Sequence, residues 1–211
     1  MKQTYLLSAL CVLFSLFSWL TGKEAALTRL GFNLTNFIGG KFWTILTSLF
    51  VHWTLFHLVS NLIFLLIFGL TLEDEIGPGR TLTIFLVGGV VSSLVSAFFY
   101  PPETYSIGAS GAIFSLAAAV MLIKPFKGSG ILVIPIGLVA LIYFFYNLLA
   151  ILYGEPGNIS YESHIIGFTV GAAFGVSWSE KWAKNMIVTV ILFLAYVLIS
   201  TFLMDFIQTL P

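Results

Sequence analysis

Charge is scarce in this sequence. Asp, Glu, Lys and Arg make up 9% of its 211 residues, against about a quarter in an ordinary soluble domain. Nine basic and nine acidic residues cancel, and no basic run is present to hold a nucleic acid. Cysteine is scarcer still: Cys11 stands alone, which excludes an intramolecular disulfide, a CxxC pair and a thiolate metal cluster. No stretch rich in Pro, Ser or like charges marks a linker, so a single membrane domain spanning residues 1–211 is expected. No internal repeat suggests the inverted halves of a transporter.

What fills the chain is apolar: 59% of residues are hydrophobic and the mean hydropathy is +1.04. A membrane-crossing helix needs about 20 mostly apolar residues. Seven stretches qualify or nearly so: Thr4–Leu20, Phe50–Leu72, Thr81–Tyr100, Ile107–Ile123, Gly130–Leu152, Glu162–Ser179 and Met186–Ile207. The fold class expected is therefore all-α, a polytopic transmembrane bundle of about seven helices. Lys2 precedes an apolar run, but no cleavage signal follows Leu20, so the first helix reads as retained. With the N-terminus in the cytoplasm, Lys2, Arg80, Lys124, Lys127, Lys181 and Lys184 all fall inside, the bias that orients membrane proteins. The C-terminus is then outside, and the second, fourth and sixth helices start at the outer face. The long first outer loop, Thr21 to Leu49, has apolar segments Ala25–Leu34 and Phe37–Trp43, which read as interfacial helices or as a cap on the bundle.

All charged residues lie in loops or near helix ends, so only the histidines bring ionisable chemistry toward the bilayer: His52 and His57 in the second stretch and His164 in the sixth. Such a side chain is costly there and marks a functional site by default. His57, Asn61, Ser110 and His164 all occupy the first part of an inward-running helix, so they share one depth. His57 and Asn61 are four apart and stack on one face. His52, about 140° away around that helix, is expected to face the outer loop and to be structural.

Gly108-Ala109-Ser110-Gly111 permits a sharp turn and a close helix approach. His164, Gly167, Gly171 and Gly175 line one face, a strip that lets the sixth helix press on the fourth at Gly111. Ser110 and His164 then come within reach as nucleophile and general base. Ser110 also opens a helix, where unpaired N–H groups and a positive dipole favour an anion. With the His57 and Asn61 side chains, those donors suit the oxygen of a tetrahedral intermediate. No carboxylate lies at this depth, so the pair reads as a Ser-His dyad with His164 oriented by packing. Phe114, one turn after Ser110, is placed against the imidazole.

Each motif has a plainer reading. Gly-x-Ser-Gly at a helix start is commonly a packing contact, and His57 with Asn61 can be an interhelical hydrogen-bonding pair. Three histidines can bind zinc, but His52 and His57 are not i, i+4 and H-E-x-x-H is absent, so no metal or other cofactor is expected. A proton-coupled transporter lacks its mid-membrane charge.

The chain resembles the rhomboid family of intramembrane serine proteases from about Gly40 to Gly175. The likeness rests on His52-x4-His57-x3-Asn61, Glu73-x3-Gly77-x2-Arg80, Gly108-x-Ser110-Gly111 and His164-x2-Gly167-x3-Gly171, in that order. It implies a six-helix core over about residues 1–180, with 186–207 as one added C-terminal helix. It implies Ser110 as nucleophile, His164 as base, and His57, Asn61 and the Ser110 N–H as oxyanion donors. His52, Gly108, Gly111, Phe114 and Gly167 are supporting residues. The implied substrates are transmembrane segments of other proteins, reaching a cavity open to the outer face past Phe144, Phe145 and Tyr146. The alternative is a non-proteolytic relative that binds membrane proteins. Two residues depart from the pattern: Thr44 follows Trp43 where the family usually has Arg, removing that loop's usual ionic anchor, and Phe114 stands where Tyr is frequent. The protein is expected in a prokaryotic cell membrane. A topology reporter fused after Pro211 should read out on the outer side; a cytoplasmic signal contradicts the seven-helix count.

Overall fold

The computed structural model describes residues 2–127, 134–154 and 159–208. Among them the regular structure is helical: α1 (Gln3–Thr21), α2 (Lys23–Leu30), α3 (Leu34–Ile38), α4 (Thr44–Thr47), α5 (Leu55–Ile76), α6 (Pro78–Ser96), α7 (Ser110–Ile123), α8 (Ile136–Tyr153), α9 (Tyr161–Trp178) and α10 (Trp182–Gln208). Strand-like pairing among these residues is a lone bridge between Phe32 and Ser106. Among the described residues five helices are long and apolar enough to cross a bilayer: α1, α5, α6 with its 3-10 extension to Phe99, α8 and α10. The protein is a multi-pass membrane helical bundle.

The helix ends differ from the apolar stretches for local reasons. α5 starts at Leu55 rather than Phe50, because the Thr54 hydroxyl caps it by accepting from the His57 N–H. α6 starts with Pro78 at its first turn, three residues before the apolar run, where a missing N–H costs nothing. α7 starts at Ser110 rather than Ile107, since Gly108 has φ +116°, a conformation closed to most side chains. Gly130, where the fifth apolar stretch begins, lies outside the described residues.

α7 has 14 residues, about 21 Å of helix at 1.5 Å per residue, too short for a hydrocarbon core of about 30 Å. Its residues Gly111 to Leu122 are all buried, so it is walled off from lipid by its neighbours. Irregular backbone at membrane depth is tolerated where protein or a cavity surrounds it, which lets the chain before Ser110 dip into the bundle. At the opposite end, Asn185 of α10 donates to the Leu122 and Ile123 carbonyls at 2.7 and 3.2 Å, satisfying the end of α7.

α7 is held by backbone-close contacts. A Cβ on Gly167 or Gly171 of α9 would sit inside the carbonyls of Gly111 and Ser115, while Gly88 of α6 faces the Ser115 side chain. Ser115 Oγ donates to the Gly167 carbonyl at 2.6 Å, a polar stitch across the α7–α9 seam. The first loop folds as α2, α3 and α4 and is anchored by side chains on backbone: Lys41 Nζ to Thr28 O at 3.1 Å, Trp43 Nε1 to Arg29 O at 2.9 Å and Thr47 Oγ1 to Leu30 O at 2.8 Å. Thr44 is fully buried and donates to Lys41 O. Hydrogen bonds to backbone carbonyls, one of them from the Lys41 ammonium, thus hold this loop without an ion pair at Thr44.

The glycine strip gives a stability prediction. Gly171→Val forces α9 off α7 and should destabilise the bundle by about 1–3 kcal/mol or more, as overpacking does; reversible unfolding in detergent measures it, and an unchanged midpoint contradicts the packing described.

Candidate active site

α5, α7 and α9 begin at the same end of the bundle, where a cavity of about 940 Å³ opens. Its wall includes His57, Asn61, Ser110, Asn147 and His164. That volume falls in the range of small-ligand sites, about 300–1,000 Å³.

Ser110 occupies the first position of α7. The first hydrogen bond into that helix runs from Ile113 N–H to Ala109 O at 2.9 Å, which leaves the N–H groups of Ser110, Gly111 and Ala112 without helical acceptors. Ser110 Oγ lies 2.8 Å from His164 Nε2. The glycine contact below sets this distance: Gly167, three residues after His164, rests on the Gly111 carbonyl next to Ser110. Phe114 stacks on the imidazole with centroids 4.4 Å apart and planes 9° from parallel. A parallel ring restrains the tilt of His164 without needing a hydroxyl.

Packing is not the whole of that restraint. The carboxamide Oδ1 of Asn147, on α8, lies 2.6 Å from His164 Nδ1. The expectation that packing alone orients the ring is thereby corrected. Asn147 was passed over in the sequence, though a lone carboxamide in the apolar run from Ile136 to Tyr153 is the kind of costly polar residue that marks a site.

His57 lies against Gly108, where a Cβ would come within 2.8 Å of Nε2. Among the described residues, its ring nitrogens have no hydrogen-bond partner. Asn61 is buried and gives one amide hydrogen to the His57 carbonyl at 2.8 Å, while its Oδ1 has no partner. The second hydrogen of the Asn61 amide is left as a spare donor beside Ser110, and the unsatisfied Asn61 Oδ1, a buried acceptor, calls for a reason.

His52 is placed differently from expectation. It precedes the Thr54 cap, so helical periodicity does not apply, and it turns inward instead of toward the outer loop. Fully buried, it meets Ser15 Oγ of α1 through Nδ1 at 3.1 Å, and its Nε2 accepts from the Ala109 N–H at 3.4 Å. Its ring also meets that of His57 edge-on, 4.9 Å between centroids. It therefore ties α1 to the turn that presents Ser110. On α8, Phe144 packs on Phe168 of α9 and Phe145 on Phe193 of α10, at 4.6 and 4.7 Å. Of the three aromatics expected along the substrate's path, only Tyr146 lines the cavity, and it is 59% exposed. Outside the bilayer spans, the Tyr100 hydroxyl donates to Glu162, joining the end of α6 to the start of α9. Burial first, and the Glu162 carboxylate second, raise the Tyr100 phenol above its ordinary value.

With this geometry in view, the Rhomboid domain model matches residues 39–181. The chain belongs to the rhomboid family. Rhomboid protease GluP of Bacillus subtilis (strain 168) is 29% identical over 198 residues, covering 90% of this chain and 38% of its own length. Rhomboid-like protein 11, chloroplastic, of Arabidopsis thaliana is 44% identical over 78 residues, 37% of this chain and 28% of that protein. Rhomboid-like protease 3 of Toxoplasma gondii is 37% identical over 76 residues, 36% of this chain and 28% of that protein. The chain thus spans less than two fifths of the length of each of these relatives. Membership supports an intramembrane protease or rhomboid-like function, and the relatives include organellar proteins of plants as well as a bacterial one.

The two histidines before Asn61 should separate in experiment. His52→Ala strands the Ala109 N–H and removes one of the hydrogen bonds of Ser15, which keeps those to the Phe50 carbonyl and the residue-52 N–H, and should cost about 1–3 kcal/mol, as an orphaned buried partner does. His57→Ala removes no hydrogen bond made by the ring and should leave Tm in detergent nearly unchanged; equal losses contradict the division of roles.

Proposed function

We propose that the protein is an intramembrane serine endopeptidase that cuts transmembrane segments of other membrane proteins. The observation that carries this reading is the 2.8 Å contact between Ser110 Oγ and His164 Nε2 at the wall of a cavity within a membrane bundle. Ser110 Oγ bonds to the scissile carbonyl carbon as its proton passes to His164 Nε2. The carbonyl π electrons move to oxygen, and the Ser110 N–H, His57 and Asn61 stabilise that charge. Collapse breaks the C–N bond, and the imidazolium returns its proton to the leaving amine. Water then enters the cavity, gives a proton to His164 and its oxygen to the acyl carbon, and as the ester C–Oγ bond breaks His164 returns that proton to Ser110 Oγ, freeing the acid and the hydroxyl. No cofactor takes part in this scheme.

The cavity supports the choice of substrate. A helix has no free carbonyl to offer a nucleophile, so a substrate must unwind locally before it reaches Ser110, and small residues that weaken a helix favour this. Tyr146, exposed on α8, is a wall such a segment passes. The placement of Lys and Arg supports a cavity facing the outer side, with the N-terminus cytoplasmic.

The test is cleavage of a single-span substrate by the reconstituted protein in liposomes. Ser110→Ala and His164→Ala should each abolish cleavage while preserving the fold. His57→Ala and Asn61→Ala should each lower kcat about 10²–10³-fold, the usual effect of losing one oxyanion donor. Cleavage by Ser110→Ala at the wild-type rate refutes the mechanism, and capture of membrane partners without cleavage by the wild type supports the non-proteolytic alternative instead.

A further inference from the structure

We propose that Asn147 is a positioning residue that fixes the tautomer of His164 and so prepares Nε2 to accept the Ser110 proton. This rests on the reading of His164 as general base.

The assignment follows from which groups can only accept. Asn147 Nδ2 lies 2.7 Å from the Tyr143 carbonyl one helical turn back, and a carbonyl only accepts. The nitrogen of the carboxamide must therefore point at Tyr143, which leaves the oxygen pointing at His164. Asn147 Oδ1 also only accepts, so at 2.6 Å the proton must sit on His164 Nδ1. A neutral imidazole has one N–H, and with that proton on Nδ1 the Nε2 lone pair is free. Nε2 faces Ser110 Oγ at 2.8 Å. The hydroxyl thus donates to Nε2, the polarity that proton abstraction needs. The other tautomer sets an N–H against the Ser110 hydroxyl and an imine nitrogen against a carboxamide oxygen, which repel.

Burial makes the choice firm. Asn147 is 2% exposed, so water cannot readily replace its oxygen as the partner of Nδ1. Phe114, stacked on the face of the imidazole, has no hydrogen-bonding atom and does not select a tautomer. Asn147 does for His164 what a carboxylate does in a Ser-His-Asp triad, holding the tautomer and the ring plane, but it brings no charge. The lack of a carboxylate at this depth therefore does not leave the base unpositioned.

The test reads the tautomer directly, by 15N NMR of histidine-labelled protein in detergent. The chain has three histidines, so the His164 signals are identified by their loss in His164→Ala. In the wild type, His164 should carry its proton on Nδ1, with Nε2 an imine. In Asn147→Ala the His164 signals should shift toward a mixture of tautomers, and kcat should fall on the order of 10²-fold with KM little changed, the effect of misplacing a catalytic group. Asn147→Asp keeps an acceptor at Nδ1 though it loses the donor to the Tyr143 carbonyl, and should hold the His164 proton on Nδ1 and give a kcat above that of Asn147→Ala. A wild-type spectrum with the proton on Nε2 overturns the proposal whatever the variants do. So does a folded Asn147→Ala whose His164 spectrum and kcat match wild type. Should Asn147→Ala fail to fold, the wild-type spectrum and Asn147→Asp still decide. If the wild type never cleaves a substrate, the protease reading fails, while the tautomer measurement still answers for Asn147.

Discussion

The contact of α9 with α7, backbone on backbone at Gly167 and Gly111, sets the geometry of the site. Ser110 directly precedes one of these glycines and His164 precedes the other by a single turn, so the helix separation becomes the distance between hydroxyl and imidazole. A side chain at Gly167 pushes the helices apart, and misplacement by about 1 Å is enough to cost on the order of 10²-fold in rate. Within a bilayer, lipid tails compete with apolar side chains on nearly equal terms, so close backbone approach and polar stitches such as Ser115 on the Gly167 carbonyl hold the seam. The same contacts that stabilise α7 therefore aim its first residue.

The second constraint is the cost of polar groups away from bulk water. Around Ser110 the polar groups are mostly paired or line the cavity, with the buried Asn61 Oδ1 left without a partner. His52 satisfies Ser15 and the Ala109 N–H and thereby holds the turn in place. Asn147 bridges the Tyr143 carbonyl and His164. What remains unpaired among the described residues around it includes the His57 ring, the second hydrogen and the Oδ1 of the Asn61 amide, and the first N–H groups of α7, where Ser110 and Gly111 line the same cavity as His57 and Asn61. Donors left without acceptors beside a hydroxyl suit a charge that develops during reaction.

Much of this was legible in the residues. Apolar runs separated by short polar turns marked the helices, since about 20 residues are needed to cross the hydrocarbon. The glycine spacing after His164 announced the α7–α9 seam, because three- and four-residue intervals share a helix face. Periodicity misled where the backbone was not helical: His52 lies before the Thr54 cap, so its angle from His57 around a helix had no meaning. Phe144 and Phe145 looked like neighbours of Tyr146 along a path, yet successive helix residues point about 100° apart, and these two pack into α9 and α10. Asn147 is not marked by the helix-start pattern that His57, Ser110 and His164 share. It lies near the end of a helix running the other way, which brings it to the same depth.

The central claim is that Ser110 is a nucleophile activated by His164. The most direct measurement is covalent labelling of the purified, folded protein by a fluorophosphonate serine-hydrolase probe, with the adduct mapped by mass spectrometry. The account predicts a single adduct on Ser110 in the wild type and none in His164→Ala. Absence of an adduct in folded wild type, or labelling indifferent to His164, contradicts it.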